Sequence, residues 1–154
     1  MAAHSLHIHL PQEADTADFA DRLAPLLRTG DTLLLSGPIG AGKSAFARAL
    51  IRARLNRVED VPSPTFTLVQ TYEHPDGDIW HCDLYRLTHP DEVFELGLDD
   101  AFEDAICLIE WPDRLARQIP ENALRLAFQA GQAGHDLTLD MTPHWAARLG
   151  ALDV

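Results

Sequence analysis

Apolar residues along this chain fall into distinct patterns, and each predicts a different element. Thr32–Ser36 and Ala105–Ile109 are nearly continuous apolar runs, the pattern of strands buried on both faces inside a parallel sheet. His7–Leu10 alternates and predicts a strand with one face on a core. Three-to-four spacing predicts two helices. Thr16–Arg28 carries Phe19, Leu23, Leu26 and Leu27, with Asp15 or Thr16 as its cap and Pro25 as a kink. Lys43–Leu55 turns Phe46, Leu50 and Leu55 inward, with Arg48 and Arg52 on a separate face. Strands are expected at Phe66–Tyr72 and Ile79–Tyr85, joined into an antiparallel hairpin by the turn His74-Pro75-Asp76-Gly77. Two short helices follow, and a second hairpin pairs Leu124–Ala130 with Asp136–Met141 before a last helix. These elements predict an α/β protein, one domain over residues 1–154, with a mixed parallel and antiparallel central sheet flanked by helices.

Between the first apolar run and the second helix stands Gly37-Pro38-Ile39-Gly40-Ala41-Gly42-Lys43-Ser44, which fits G-x-x-x-x-G-K-[ST]. Glycines let backbone N–H groups encircle phosphate oxygens without a Cβ in the way. The helix starting near Lys43 aims unpaired amides and its positive dipole end at the same anion. In this phosphate-binding loop, Lys43 is expected to neutralise β/γ oxygens and Ser44 to offer a hydroxyl to Mg2+, with ATP or ADP as the ligand. Lys43 is the sole lysine among twelve basic residues. Arginine serves most surface roles, so the retained compact ammonium suggests a site that needs a point charge.

A magnesium nucleotide site also needs a carboxylate at a neighbouring strand end. Asp83 closes the alternating stretch Asp78–Asp83, whereas Glu110 follows the buried run Ala105–Ile109. The latter delivers an acid to the C-terminal edge of a sheet, where ligands bind, so Glu110 is the preferred metal carboxylate. Thr65, in Ser63-Pro64-Thr65-Phe66-Thr67, lies where nucleotide-sensing loops sit. His7 and His9 project from one side of a strand but lack a third ligand, and read as surface histidines. Cys82 and Cys107 have no ligand spacing and read as reduced, buried thiols.

Net charge is −12, and Glu73–Asp104 holds eleven acids against Arg86 alone, a local balance of −10. Such a stretch repels a polyphosphate backbone, so unaided nucleic-acid binding is not expected; a basic protein partner would suit it. Met1–Leu10 has no Lys or Arg ahead of an apolar core, and no run approaches the roughly 20 apolar residues of a membrane span, so a cytoplasmic location is expected.

Five motifs in order resemble one family: Gly37–Ser44, Ser63-Pro64-Thr65-Phe66-Thr67-Leu68, His81-Cys82-Asp83-Leu84-Tyr85-Arg86-Leu87, Glu95-Leu96-Gly97-Leu98 and Ile109-Glu110-Trp111-Pro112. From about Leu10 to Leu139 the chain is similar to TsaE (formerly YjeE), the bacterial P-loop ATPase of tRNA threonylcarbamoyladenosine biosynthesis. The resemblance implies ATP hydrolysis in a complex with TsaB and TsaD, which modifies the adenosine beside the anticodon in tRNAs reading A-starting codons. It implies tRNA contact only through that complex. Carried over, Gly40, Ala41, Gly42, Lys43, Ser44 and Ala45 would bind phosphates, Ser44 and Glu110 would hold magnesium, and Thr65 and Asp83 would lie in nucleotide-responsive loops. Glu13 matches a position near the nucleotide. Three departures stand out: Pro38 where relatives often have Asp, Ser44 for the commoner Thr, and His135 where many have Arg.

A GTPase needs an Asn-Lys-x-Asp motif, which a chain whose one lysine is Lys43 does not contain. A small-molecule kinase would want several lid arginines, and after Glu110 only Arg114 and Arg117 cluster. A nucleotide-sensing adaptor without turnover is the alternative from the binding class.

Overall fold

The computed structural model describes residues 4–38, 41–56, 61, 68–131 and 134–152. Seven strands, β1 (His4–Leu10), β2 (Thr32–Ser36), β3 (Val69–Tyr72), β4 (Ile79–Asp83), β5 (Ile106–Glu110), β6 (Leu124–Gly131) and β7 (Gly134–Met141), form one sheet in the order β1-β7-β6-β2-β5-β4-β3. The contacts β6–β2, β2–β5 and β5–β4 are parallel; β1–β7, β7–β6 and β4–β3 are antiparallel. The expected mixed α/β sheet is therefore present, with both predicted hairpins in it.

Helices α1 (Glu13–Leu23), α2 (Lys43–Leu55), α3 (Glu92–Leu96), α4 (Leu98–Asp104) and α5 (Pro143–Arg148) accompany the sheet. Its two faces bury separate apolar clusters. Leu33 and Leu35 pack with Phe19, Phe46 and Trp145 on the side of α1, α2 and α5. Leu34 packs with Cys82, Ile109 and Leu98 on the side of α3 and α4. Burial on both faces is why β2 reads as an unbroken apolar run. The rings of Phe19, Phe46 and Phe128 stack in sequence at 5.8 and 5.5 Å between centroids, fastening α1 and α2 to β6.

The boundaries of β2 and α2 are those the pattern predicts. The first helix differs: it starts at Glu13 with Gln12 as cap, and Asp15 sits inside the first turn, accepting from the Gln12 N–H at 2.9 Å. Asp15 and Thr16 are thus not the cap, because Asp15 satisfies the capping residue's own amide from within the helix. Pro25 tightens the chain into a 3-10 turn, Ala24–Leu26, so α1 ends at Leu23, not Arg28. β4 stops at Asp83, two residues before Tyr85, because Asp83 Oδ1 accepts the Tyr85 N–H at 3.1 Å and closes a turn. Leu68, at φ +66°, precedes β3; Phe66 and Thr67 lie outside the described residues.

Candidate active site

β2 ends where its chain must turn away from β6. Gly37 takes φ +136°, and a Cβ there would stand 2.4 Å from the Phe128 carbonyl oxygen, so only glycine lets the loop leave the sheet at this point. Gly42, at φ +106°, starts α2 in the left-handed region. The first-turn amides of α2 have no acceptor within the helix, the condition that makes a helix N-terminus attractive to anions.

Lys43 is only 5% exposed. Its Nζ donates to the Gly37 carbonyl at 2.6 Å and lies 3.7 Å from the centroid of the Trp111 ring. Burial pushes its ammonium below the ordinary lysine value, while the carboxylates of Glu110, Asp83 and Asp113 pull it back up. Desolvation of the ammonium is thus set against three nearby carboxylates.

Strand register brings the carboxylates to that cation. Leu35 pairs with Glu110 across β2–β5, and Asp83 pairs with Glu110 across β4–β5, so both acids stand level with the end of β2. Glu110 is 3% exposed and both its oxygens are engaged: Ser44 Oγ donates to Oε1 at 3.2 Å, and His81 Nε2 lies 2.7 Å from Oε2. Asp83, also buried, accepts the Tyr85 amide. The Ser44 hydroxyl and the Glu110 carboxylate are hard oxygen donors side by side. That set fits magnesium, which takes one or two carboxylates and completes its shell with phosphate and water. Among the described residues no three His, Cys, Asp or Glu side chains converge as a protein-only metal cage.

Glu13 opens α1 and, with Thr16, Ala17, Ala45, Arg48 and Arg52, lines a cavity of about 310 Å³ between α1 and α2. Ala41 is fully buried at the base of the loop. Gly40 and Thr65 lie outside the described residues. His7 and His9 are on an exposed strand face, against Thr138 Oγ1 at 3.0 Å and Asp136 Oδ1 at 2.7 Å. Cys82 and Cys107 are free and buried, as expected.

Residues 10–137 match the family model described as "Threonylcarbamoyl adenosine biosynthesis protein TsaE". The chain belongs to the TsaE family. The tRNA threonylcarbamoyladenosine biosynthesis protein TsaE of Rickettsia bellii is 40% identical over 111 residues, 72% of this chain and 77% of the relative. Its namesake from Bacillus subtilis is 34% identical over 123 residues, 79% of this chain and 75% of the relative. The crystal structure of Bacillus subtilis YdiB superposes with a TM-score of 0.73 at 24% identity, covering 97% of this chain and 93% of that one, a likeness of fold.

Three residues of this TsaE chain meet the site beyond those named above as phosphate or metal ligands. Trp111 takes φ +59° directly after Glu110, which carries its indole over Lys43; Tyr85 packs against it, tilted by 56°, at 5.0 Å between centroids, and the Arg114 guanidinium lies 5.8 Å from the Tyr85 ring. His135, on β7, borders Gly42 so closely that a Cβ there would lie 3.3 Å from the imidazole. His81 is the third. Its signal was available: residues two apart on a strand share a face, so a histidine two before Asp83 points the same way as that acid.

Proposed function

We propose that this TsaE chain binds Mg–ATP at Gly37–Ser44 and hydrolyses it slowly alone. On this reading it serves tRNA threonylcarbamoyladenosine formation in the cytoplasm with a TsaB–TsaD-like pair, meeting tRNA only through that complex. The observation that carries the reading is the Ser44 Oγ to Glu110 Oε1 contact of 3.2 Å beside the buried Lys43. Hydroxyl, carboxylate and ammonium are the three groups a magnesium-bound triphosphate needs from a P-loop protein.

In this mechanism the loop amides around Gly40–Ala45 and the first turn of α2 hold the β-phosphate. Lys43 would exchange the Gly37 carbonyl for the β/γ oxygens, and Ser44 and Glu110 would hold magnesium. The metal supplies Lewis-acid polarisation of the phosphoryl oxygens. Glu13 and the neighbouring cavity take the nucleoside; its volume lies at the lower end of small-molecule pockets. Asp83, level with Glu110, would lie on the γ side, and Thr65 would belong to the loop that responds to it. Lys43 supplies one cation and Arg86, three residues after Asp83, is the intrinsic candidate for a second; phosphoryl transfer gains about 10³–10⁵ in rate when an arginine finger is added in other systems. Basal turnover should therefore be slow.

ATP hydrolysis measured on purified protein, with and without a TsaB–TsaD-like complex, tests this. Slow basal ADP release, stimulation by the partners, and loss of tRNA modification with Lys43→Ala are expected. Fast hydrolysis indifferent to partners would overturn the partner dependence; no nucleotide binding at all would overturn the site.

A further inference from the structure

Glu110 is a buried carboxylate with two oxygens in two different settings. Oε1 faces the Ser44 hydroxyl, and Oε2 faces His81 Nε2 at 2.7 Å. An ionised carboxylate only accepts, which makes His81 Nε2 the donor in the tautomer that completes this contact. His81 itself is 1% exposed, in the middle of β4, and its other ring nitrogen, Nδ1, is buried without a hydrogen-bond partner among the described residues. An apolar side chain at this strand position would avoid that unsatisfied nitrogen. The imidazole thus makes one polar contact here, and that contact is Glu110.

On the reading that Glu110 holds magnesium, we propose that His81 is the positioning residue of this site. It pins Oε2 and leaves Oε1 as the one carboxylate oxygen turned toward Ser44. The Ser44–Oε1 contact would have to open for both oxygens to serve as metal ligands, because the Ser44 hydroxyl would turn a lone pair outward and Oε1 would lose the Ser44 proton. The Oε2 contact is the part of the constellation that stays. Because β4 and β5 are paired in parallel along Ile79–Asp83 and Ile106–Glu110, the donor is held by sheet register, not by a loop. A carboxylate freed from this donor rotates within its pocket, and its oxygens no longer meet the metal in a prepared orientation. Partners of this kind behind a metal ligand typically govern a 10- to 100-fold range of metal affinity.

The test separates metal binding from nucleotide binding and uses Mn2+ as a spectroscopic stand-in for magnesium. Mn2+ affinity of the ADP-bound protein is measured by electron paramagnetic resonance. ADP affinity in EDTA is measured by calorimetry. Both are run on the wild type and on His81→Leu, His81→Gln and His81→Asn. A glutamine amide nitrogen reaches about as far as imidazole Nε2, whereas an asparagine nitrogen reaches only as far as Nδ1. Leu and Asn should weaken Mn2+ binding by roughly tenfold or more, Gln should keep most of it, and ADP affinity in EDTA should stay within about twofold in all. If His81→Leu does not fold, the Gln and Asn pair carries the comparison. Equal Mn2+ affinity in Gln and Asn, or wild-type affinity in a folded Leu variant, overturns the proposal. Absence of ADP-dependent Mn2+ binding in the wild type would instead overturn the magnesium reading on which it rests.

Discussion

The Lys43 ammonium rests 3.7 Å from the centre of the Trp111 ring while donating to the Gly37 carbonyl at 2.6 Å. Both contacts hold the one ammonium that the proposed function assigns to phosphate. A cation on an indole face is worth about 0.5–2 kcal/mol, weak enough for a phosphate anion to displace it. Nucleotide binding should move Nζ off the ring and change the electronic surroundings of Trp111. Tryptophan emission should respond to ADP, and the response should vanish in Trp111→Phe although Trp80 and Trp145 remain. A response that survives in Trp111→Phe would remove this role from the residue.

Ser44 and Glu110 touch, so their substitutions should not add. Glu110→Gln keeps the shape but removes the charge that a divalent cation needs; Mg–ATP binding or turnover should fall while metal-free ADP binding persists. Ser44→Ala should act on the same quantity. Neighbours in one network couple by about 0.5–3 kcal/mol, and the double variant should show that coupling in Mg–ATP affinity. Additive effects, or a larger loss from Asp83→Asn than from Glu110→Gln, would shift the metal role to Asp83.

The acidic stretch Glu73–Asp104 runs through β4, α3 and α4, and among its residues Phe94 stays 51% exposed and Tyr85 48%. Its balance of −10 should keep free tRNA away. Gel-shift or anisotropy titration of the isolated protein at physiological salt should detect no tRNA binding. Tight, salt-sensitive binding would contradict this and direct attention to the arginines of α2.

Burial pushes both thiols up, Cys107 from 9.0 to about 12, with Cys107 Sγ donating to the Ala101 carbonyl at 3.4 Å. A raised thiol pKa means the folded state keeps a proton that the unfolded chain releases. Stability from this source is therefore complete below about pH 9 and falls as pH rises toward 12. The slope is at most about 1.4 kcal/mol per pH unit and thiol. Urea unfolding at pH 8 and pH 10.5 should show that loss, and Cys107→Ala should reduce it. A variant with the same alkaline loss would place the titration elsewhere.

Where a feature depends on neighbours along the chain, the sequence by itself determined it. Thr32–Ser36 and Lys43–Leu55 have the predicted ends because a buried apolar run, a glycine-rich loop and a helical period are all local signals. Glu110 was legible as a strand-end acid for the same reason. α1 was misjudged at its start because Asp15 acts from inside the first turn, a reciprocal contact that residue type alone does not distinguish from a cap.

Tertiary structure decided which side chains meet. Strand order places β5 between β2 and β4, and register then sets Glu110 level with Leu35 and Asp83. The His81–Glu110 contact follows from that pairing, the Lys43–Trp111 contact from a left-handed backbone after Glu110, and the place of His135 at Gly42 from the β6–β7 hairpin folding back beside the loop. Each joins residues far apart in the chain. A one-residue slip of β4 would turn His81 to the opposite face of the sheet without changing a single local preference.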